Sequence, residues 1–153
     1  MQEDIMTITK IKPSLYLGSG KHPRRETPEF KELGIDVIIN CCNDFRHKPN
    51  KNYIIEQFAI DDGTDASIIE YLNPIAEIIN YHLHNNKKIY VHCVHGRSRS
   101  VSIIIYYLMK YHKKSFDEAF SEVRALRPVM SPNTNFIREL KEMDFYYRPK
   151  TII

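Results

Sequence analysis

Apolar positions along the chain fall into short runs of strand length that alternate with longer stretches of helical period. Ile8 to Ile11 and Leu15 to Leu17 read as two short strands interrupted by Pro13, which cannot donate to a ladder. The β-branched run Val37-Ile38-Ile39, within 36–40, has the composition of a strand buried on both faces. Residues 53–60 and Ile89 to His92 read as further strands. Between them Ile68, Leu72, Ile75, Ile79 and Leu83 recur on one face of a helix. Ser67 and Glu70 have capping-box spacing at its start. Pro74 lies inside that pattern and is expected to kink the helix or to mark its true beginning. Thr27 caps a short helix to Leu33, with Pro28 at its first position and Gly34 at its end. Three more helices are expected. One runs from Ser98 to Tyr111, apolar on most sides and therefore central. A second runs from Ser115, a cap with Glu118 at the third position, to Arg127, and a third from Thr134 to Tyr147. Ser19 to Pro28 and Asn43 to Asn52 read as polar and charged loops, and Arg148 to Ile153 as a tail.

Strands alternating with helices predict an α/β protein, a three-layer αβα sandwich around a mostly parallel sheet. The 153 residues suit one catalytic-size domain, 1–147, followed by the tail 148–153. In open sheets of this kind ligands bind where strands end and helices begin. The strand from Ile89 ends at Cys93, and a helix begins a few residues later.

Charge narrows the partners only a little. There are 22 basic and 19 acidic residues, a formal net charge of +3. That excess suits an anionic substrate and falls short of a dedicated nucleic-acid binder. Cys41, Cys42 and Cys93 are an odd, small set without framework spacing, which argues against a disulfide scaffold and for a reducing compartment. The polar start of the chain does not read as a signal peptide. Val101 to Met109, the longest apolar run, is too short to span a bilayer. These features predict a protein of the cytoplasm, with the nucleus as the other reducing site.

The strand end carries the chemistry: His92-Cys93-Val94-His95-Gly96-Arg97-Ser98-Arg99-Ser100. A loop from Val94 to Arg99 can turn successive N–H groups onto one point, an anion nest. Gly96 permits backbone angles that a side chain forbids. The helix that follows presents its unpaired N–H groups and positive dipole end to the same point, and Arg99 can add two parallel charge-assisted bonds to phosphate oxygens. The same field acts on Cys93, because a helix N-terminus and nearby cations draw a thiol pKa down to about 3.5–7.5. Cys93 is then a thiolate nucleophile facing a held phosphorus atom. His92 is placed to hold the loop, and Ser100 to donate to the thiolate. No second Cys/His pair stands at ligand spacing, so neither a metal nor another cofactor is expected.

The stretch resembles the signature of the protein tyrosine phosphatase superfamily: His-Cys, five residues, Arg, then Ser or Thr. Its Ser98-Arg99-Ser100 ending is most similar to the dual-specificity phosphatases, in particular their small, single-domain, atypical members. Ser14-Leu15-Tyr16-Leu17-Gly18 resembles the opening strand of that family, and Ser131-Pro132-Asn133 with Phe136 and Leu140 resembles a segment after its signature. The resemblance implies metal-independent hydrolysis of phosphotyrosine and phosphoserine/phosphothreonine in proteins through a cysteinyl-phosphate. The implied partners are a phosphorylated protein and, in the loop, an anion such as phosphate or sulfate.

A leaving oxygen needs a proton, and the usual donor is a carboxylic acid on a loop over the pocket. Asp62, 31 residues before Cys93 in Phe58-Ala59-Ile60-Asp61-Asp62, matches the family's acid, with Asp61 as the rival. The phosphate loop supplies His92, Val94, His95, Gly96, Arg97 and Ser98 to substrate. Arg124 matches a position where some members carry an arginine for a second phosphate, and Asn133 one that braces the pocket. Arg97 echoes a phosphoinositide-directed branch and His-Cys-x-His-Gly an RNA 5′-triphosphatase branch, so those substrates stand as alternatives. Cys42, after Asn40, matches a cysteine that in some relatives forms a reversible disulfide with the nucleophile. The basic stretches Lys21 to Arg25 and Arg46 to Lys51 are candidates for recognition loops or for plain solvated charge.

Overall fold

The computed structural model describes residues 4–147; the tail expected at 148–153 lies outside them. Strands β1 (Thr9–Lys12), β2 (Leu15–Ser19), β3 (Val37–Asn40), β4 (Ile54–Gln57) and β5 (Ile89–Cys93) form one sheet in the order β1-β2-β5-β3-β4. Only β1 is antiparallel to its neighbour; β2, β5, β3 and β4 run parallel. β5 is therefore interior, between β2 and β3, and its end is walled on both sides.

Alternation along β5 divides the two faces. Ile89 and Val91 lie in the larger core with Val37 and Ile39, and by alternation Cys93 falls on the same face at the strand end. Tyr90 points the other way, against Phe30, Ile35 and Ile38. The larger core is covered by α3 (Ile69–His84), α4 (Arg99–Tyr111), α5 (Phe116–Leu126) and α6 (Thr134–Tyr147). The smaller face carries α1 (Lys21–Arg25) and α2 (Pro28–Leu33). The sandwich has its expected three layers. α4 is buried along its whole first part, Arg99 to Leu108, because it lies between the sheet and the other helices. That is why its sequence is apolar on most sides.

The termini of the helices agree with the sequence at Gly34, which ends α2 in the left-handed conformation, at Tyr111, at both ends of α6, and at two N-caps. Thr27 Oγ1 accepts from Phe30 N above Pro28, and the Ser115–Glu118 capping box is closed in both directions. Four expectations are corrected. The segment 21–25, read as loop, forms the single turn α1, too short to show periodicity and interrupted by Pro23. Ser67 does not cap α3: its hydroxyl and the Ile68 N–H both go to the carboxylate of Glu139 on α6, a long-range partner that outcompetes Glu70. Pro74 does not begin α3, which runs continuously from Ile69 past it. The strand expected over 53–60 is only Ile54–Gln57, an edge strand whose continuation turns toward the site.

Candidate active site

Cys93 is the last residue of β5, and residues 94–98 make the turn into α4. Gly96 has φ +66° and the backbone of Gly18 lies 2.6 Å from where a Cβ would stand. Only glycine fits there, since it meets both a left-handed conformation and a close approach. The loop is held from outside by groups that its sequence did not reveal. Arg127, fully buried, donates from Nε to Gly96 O (2.7 Å) and from Nη2 to His95 O (3.2 Å), and further to Ile5 O, Thr7 O and Thr9 Oγ1. In a trans peptide C=O and N–H point in opposite directions. Pulling these two carbonyls outward therefore turns the N–H groups of Gly96 and Arg97 toward the inside of the loop. Ser19 Oγ and Gly20 N do the same to Val94 O at 2.9 and 3.1 Å.

Cys93 itself is almost wholly buried, and burial alone drives a thiol pKa up. It is nevertheless lowered from its ordinary value, because the Ser100 hydroxyl, the N–H groups of Ser100 and Ser98, and the charge of Arg99 together outweigh desolvation. Ser100 Oγ lies 3.1 Å from Cys93 Sγ. The buried His92 behind it is fixed as a tautomer. Nδ1 donates to Cys93 O (2.8 Å), since a carbonyl can only accept, so Nε2 is left to accept from His47 Nε2–H (2.7 Å). Burial pushes the His92 pKa down to about 3, partly opposed by that carbonyl bond. Phe45 stacks on its ring at 5.7 Å. His47 and Phe45 were not foreseen, and their role is visible only because the loop after β3 folds back over β5.

Arg99 is divided between two tasks. Its Nη1 is anchored by Asp44 Oδ1 (2.7 Å), Ile60 O (2.9 Å) and Asn43 Oδ1 (3.2 Å). Its Nε is buried and has no hydrogen-bond partner among the described residues. A buried, unpartnered guanidinium N–H costs free energy unless a ligand meets it. Nε and Nη2 form one edge of the guanidinium, and that edge is the fork that fits two oxygens of a phosphate. Asn43 and Asp44 thus position the clamp.

Across the loop Asp62 Oδ1 accepts from Ser98 Oγ (2.9 Å) and from Asn133 Nδ2 (3.3 Å); Asn133 Nδ2 also donates to Gly63 O (2.9 Å) and its N–H to Ser98 Oγ (2.9 Å). The loop of Asp62 is thereby clasped to the phosphate loop. Asp61 makes no such contact; it lies exposed beside Gly63. His95 and Arg97 are exposed at the rim, with Arg97 Nε on Val129 O (3.1 Å). Arg124 is turned back on Pro128 O and Met130 O (3.3 and 2.9 Å), closing the turn that leads to Asn133. Cys41 N–H donates to His92 O (2.8 Å), which carries the β3–β5 ladder one step on and sets Cys41 abreast of Cys93; Cys42 lies beyond, its N–H and Sγ both on Asn40 Oδ1 at 3.0 Å. Among the described residues no group of three His, Cys, Asp or Glu side chains is arranged to hold a metal.

Residues 15–145 match the family described as dual specificity phosphatase, catalytic domain. The chain belongs to that family. It is 31% identical over 135 residues to human dual specificity protein phosphatase 1, covering 88% of this chain and 36% of that one. It spans about a third of the length of that curated relative. The putative tyrosine phosphatase 123R of Invertebrate iridescent virus 6 is 31% identical over 141 residues, with 91% of this chain and 93% of the viral one covered. Among solved structures, a mouse putative dual specificity phosphatase complexed with zinc tungstate superposes with a TM-score of 0.82 at 23% identity, over 92% of this chain and 87% of that one.

Proposed function

We propose that the chain hydrolyses phosphomonoesters of tyrosine and of serine or threonine in proteins, in two steps through a cysteinyl-phosphate. The observation that carries this is the pairing of a thiolate-stabilising set around Cys93 with the unpartnered Nε of Arg99 in the same loop. In the first step a lone pair of Cys93 Sγ forms the S–P bond. The ester P–O bond breaks, and the leaving oxygen takes the proton of Asp62. The transferring phosphoryl is held by the loop N–H groups and the Arg99 fork, which also meet the charge that develops on it. In the second step a water oxygen attacks phosphorus and gives its proton to the Asp62 carboxylate. The S–P bond breaks and its pair returns to sulfur, where the Ser100 hydroxyl again donates.

The superposed mouse structure holds tungstate, an oxyanion of phosphate's shape and charge, which supports phosphate as the anion of this loop as well. All three cysteines are free, the nucleophile among them, which fits a reducing compartment such as the cytoplasm. No described helix is long and apolar enough to cross a membrane. The test is a panel of phosphotyrosine and phosphothreonine peptides, phosphoinositides and triphosphorylated RNA, each with wild type and Cys93→Ser. Peptide turnover that vanishes in the variant is the expected result. RNA or lipid turnover far above peptide turnover would replace the substrate class, and no turnover at all would make the chain a phosphate-binding module.

A further inference from the structure

Two basic segments far apart in sequence meet on the α1 side of the sheet. Arg24 on α1 lies with its guanidinium 4.3 Å over the ring of Phe45, which draws α1 and the loop 43–52 together. Between them is a cleft of about 310 Å³, whose polar lining includes Arg24, Arg46, Lys48, Asn50, Tyr53 and Glu26. Lys21, Arg25 and Lys51 extend the same two segments. Of these six cations all but Lys21 are exposed, and none is in an ion pair within the described residues. Of the nearby acids, Asp44 is paired with Arg99, and Glu26 is the one carboxylate that lines the cleft, where it accepts from the Tyr53 hydroxyl at 3.2 Å. Six cations against the single carboxylate of Glu26 leave an excess of positive charge over this face, while the chain as a whole carries a formal charge of only +3.

The face borders the catalytic loop. Phe45 stacks on His92, the neighbour of Cys93, and Gly20 N–H, at the start of α1, donates to both Cys93 O and Val94 O at 3.1 Å. The loop 43–52 also begins at the catalytic loop itself, since Asn43 and Asp44 both hold Arg99.

We infer that this face docks an acidic segment flanking the phosphoresidue of a protein substrate. The inference rests on the reading of the chain as a protein phosphatase. It differs from a lipid or RNA site in what it needs: carboxylates spaced along an extended backbone, over a broad shallow surface of separate point charges. No single anion is enclosed here, as the loop around Cys93 encloses one.

The experiment compares two phosphopeptides that differ only in four glutamates or four glutamines on either side of the phosphoresidue. Wild type should favour the acidic peptide about tenfold in kcat/KM at low salt, through KM with kcat unchanged, and the preference should fall to about twofold at high salt. In Arg46→Ala/Lys48→Ala/Lys51→Ala it should fall likewise, with p-nitrophenyl phosphate turnover untouched. Arg25→Gln, on the other segment, should reduce it in part. Equal use of both peptides by wild type, or a preference that survives the triple variant, overturns the inference. So does a triple variant that leaves the peptides alone but loses phosphoinositide vesicles or RNA. If no substrate turns over, the protein-phosphatase reading fails separately. Binding of the labelled acidic peptide to Cys93→Ser, with and without the triple substitution, then still decides whether the surface takes acidic chains.

Discussion

Replacing Arg99 by lysine keeps the charge and removes the fork, so it isolates what the guanidinium geometry contributes. Nη1 is already committed to Asp44, Asn43 and Ile60 O, and the phosphate is left to Nε and Nη2. A lysine has one charged nitrogen. It can settle against Asp44 or reach toward the phosphate, but it cannot do both. Two charge-assisted hydrogen bonds at about 1.5–3 kcal/mol each amount to about 3–6 kcal/mol lost from the transition state. At 1.36 kcal/mol per decade that is about 10²–10⁴-fold in kcat/KM. The measurement is steady-state hydrolysis of p-nitrophenyl phosphate, with inhibition by tungstate as a second readout of the same fork. Thermal unfolding is followed in parallel, because a lysine that keeps the Asp44 contact should leave the fold nearly as stable. Loss of activity and of tungstate affinity together, with the melting temperature held, is the expected outcome. A lysine variant within about tenfold of wild type would show that Arg99 acts as a point charge. The unpartnered Nε would then have nothing to do with phosphate.

Asp62→Asn should reduce turnover of an alkyl phosphate or phosphothreonine peptide by about 10²–10⁴-fold and of p-nitrophenyl phosphate far less, since an activated aryl oxide leaves without a proton; small, equal effects on both would shift the role to Asp61. Ser100→Ala removes the hydroxyl bond that helps hold the Cys93 thiolate. The acid limb of kcat/KM should move to higher pH and the thiolate absorbance at 240 nm should appear later in a titration, because the thiolate loses one of the donors that hold it; an unmoved limb refutes the assignment. His92 is held neutral, its pKa pushed down to about 3, whereas in the unfolded chain it titrates near 6.5. The unfolded state therefore binds more protons below pH 6.5, so stability is full above that pH and is lost as pH falls toward 3, at up to about 1.4 kcal/mol per unit. The loss of unfolding free energy between pH 7 and pH 5, from urea titrations, should be roughly 2 kcal/mol greater in wild type than in His92→Asn, a variant that has nothing to titrate there.

What could be read from the sequence depended on how far apart the interacting residues lie in it. The continuous apolar runs of Val37 to Ile39 and Ile89 to Val91, the helical stripe from Ile68 to Ile79 and the Ser115 capping box are local patterns, and they appear in the fold nearly as expected. The nucleophile, its clamp and Ser100 lie within eight residues, and one loop joins them. The parts that were not legible are held by partners distant in sequence. Asp44 lies 55 residues from Arg99, Arg127 lies 31 from Gly96, and Glu139 lies 72 from the Ser67 that it takes from its cap. No residue type announces such a pairing, because an arginine at the end of an amphipathic helix is ordinarily solvated. Arg124 and Arg127 make the point within one turn. Arg124 matched a family position for a second phosphate, yet it is folded back on Pro128 O and Met130 O. Arg127, fully buried, is the one that shapes the loop around the phosphate. The same reasoning applies to the basic segments at 21–25 and 46–51. Each alone is a solvated run of charge. The stacking of Arg24 on Phe45 and the bond from the Tyr53 hydroxyl to Glu26 bring them to one face, where their charges act together.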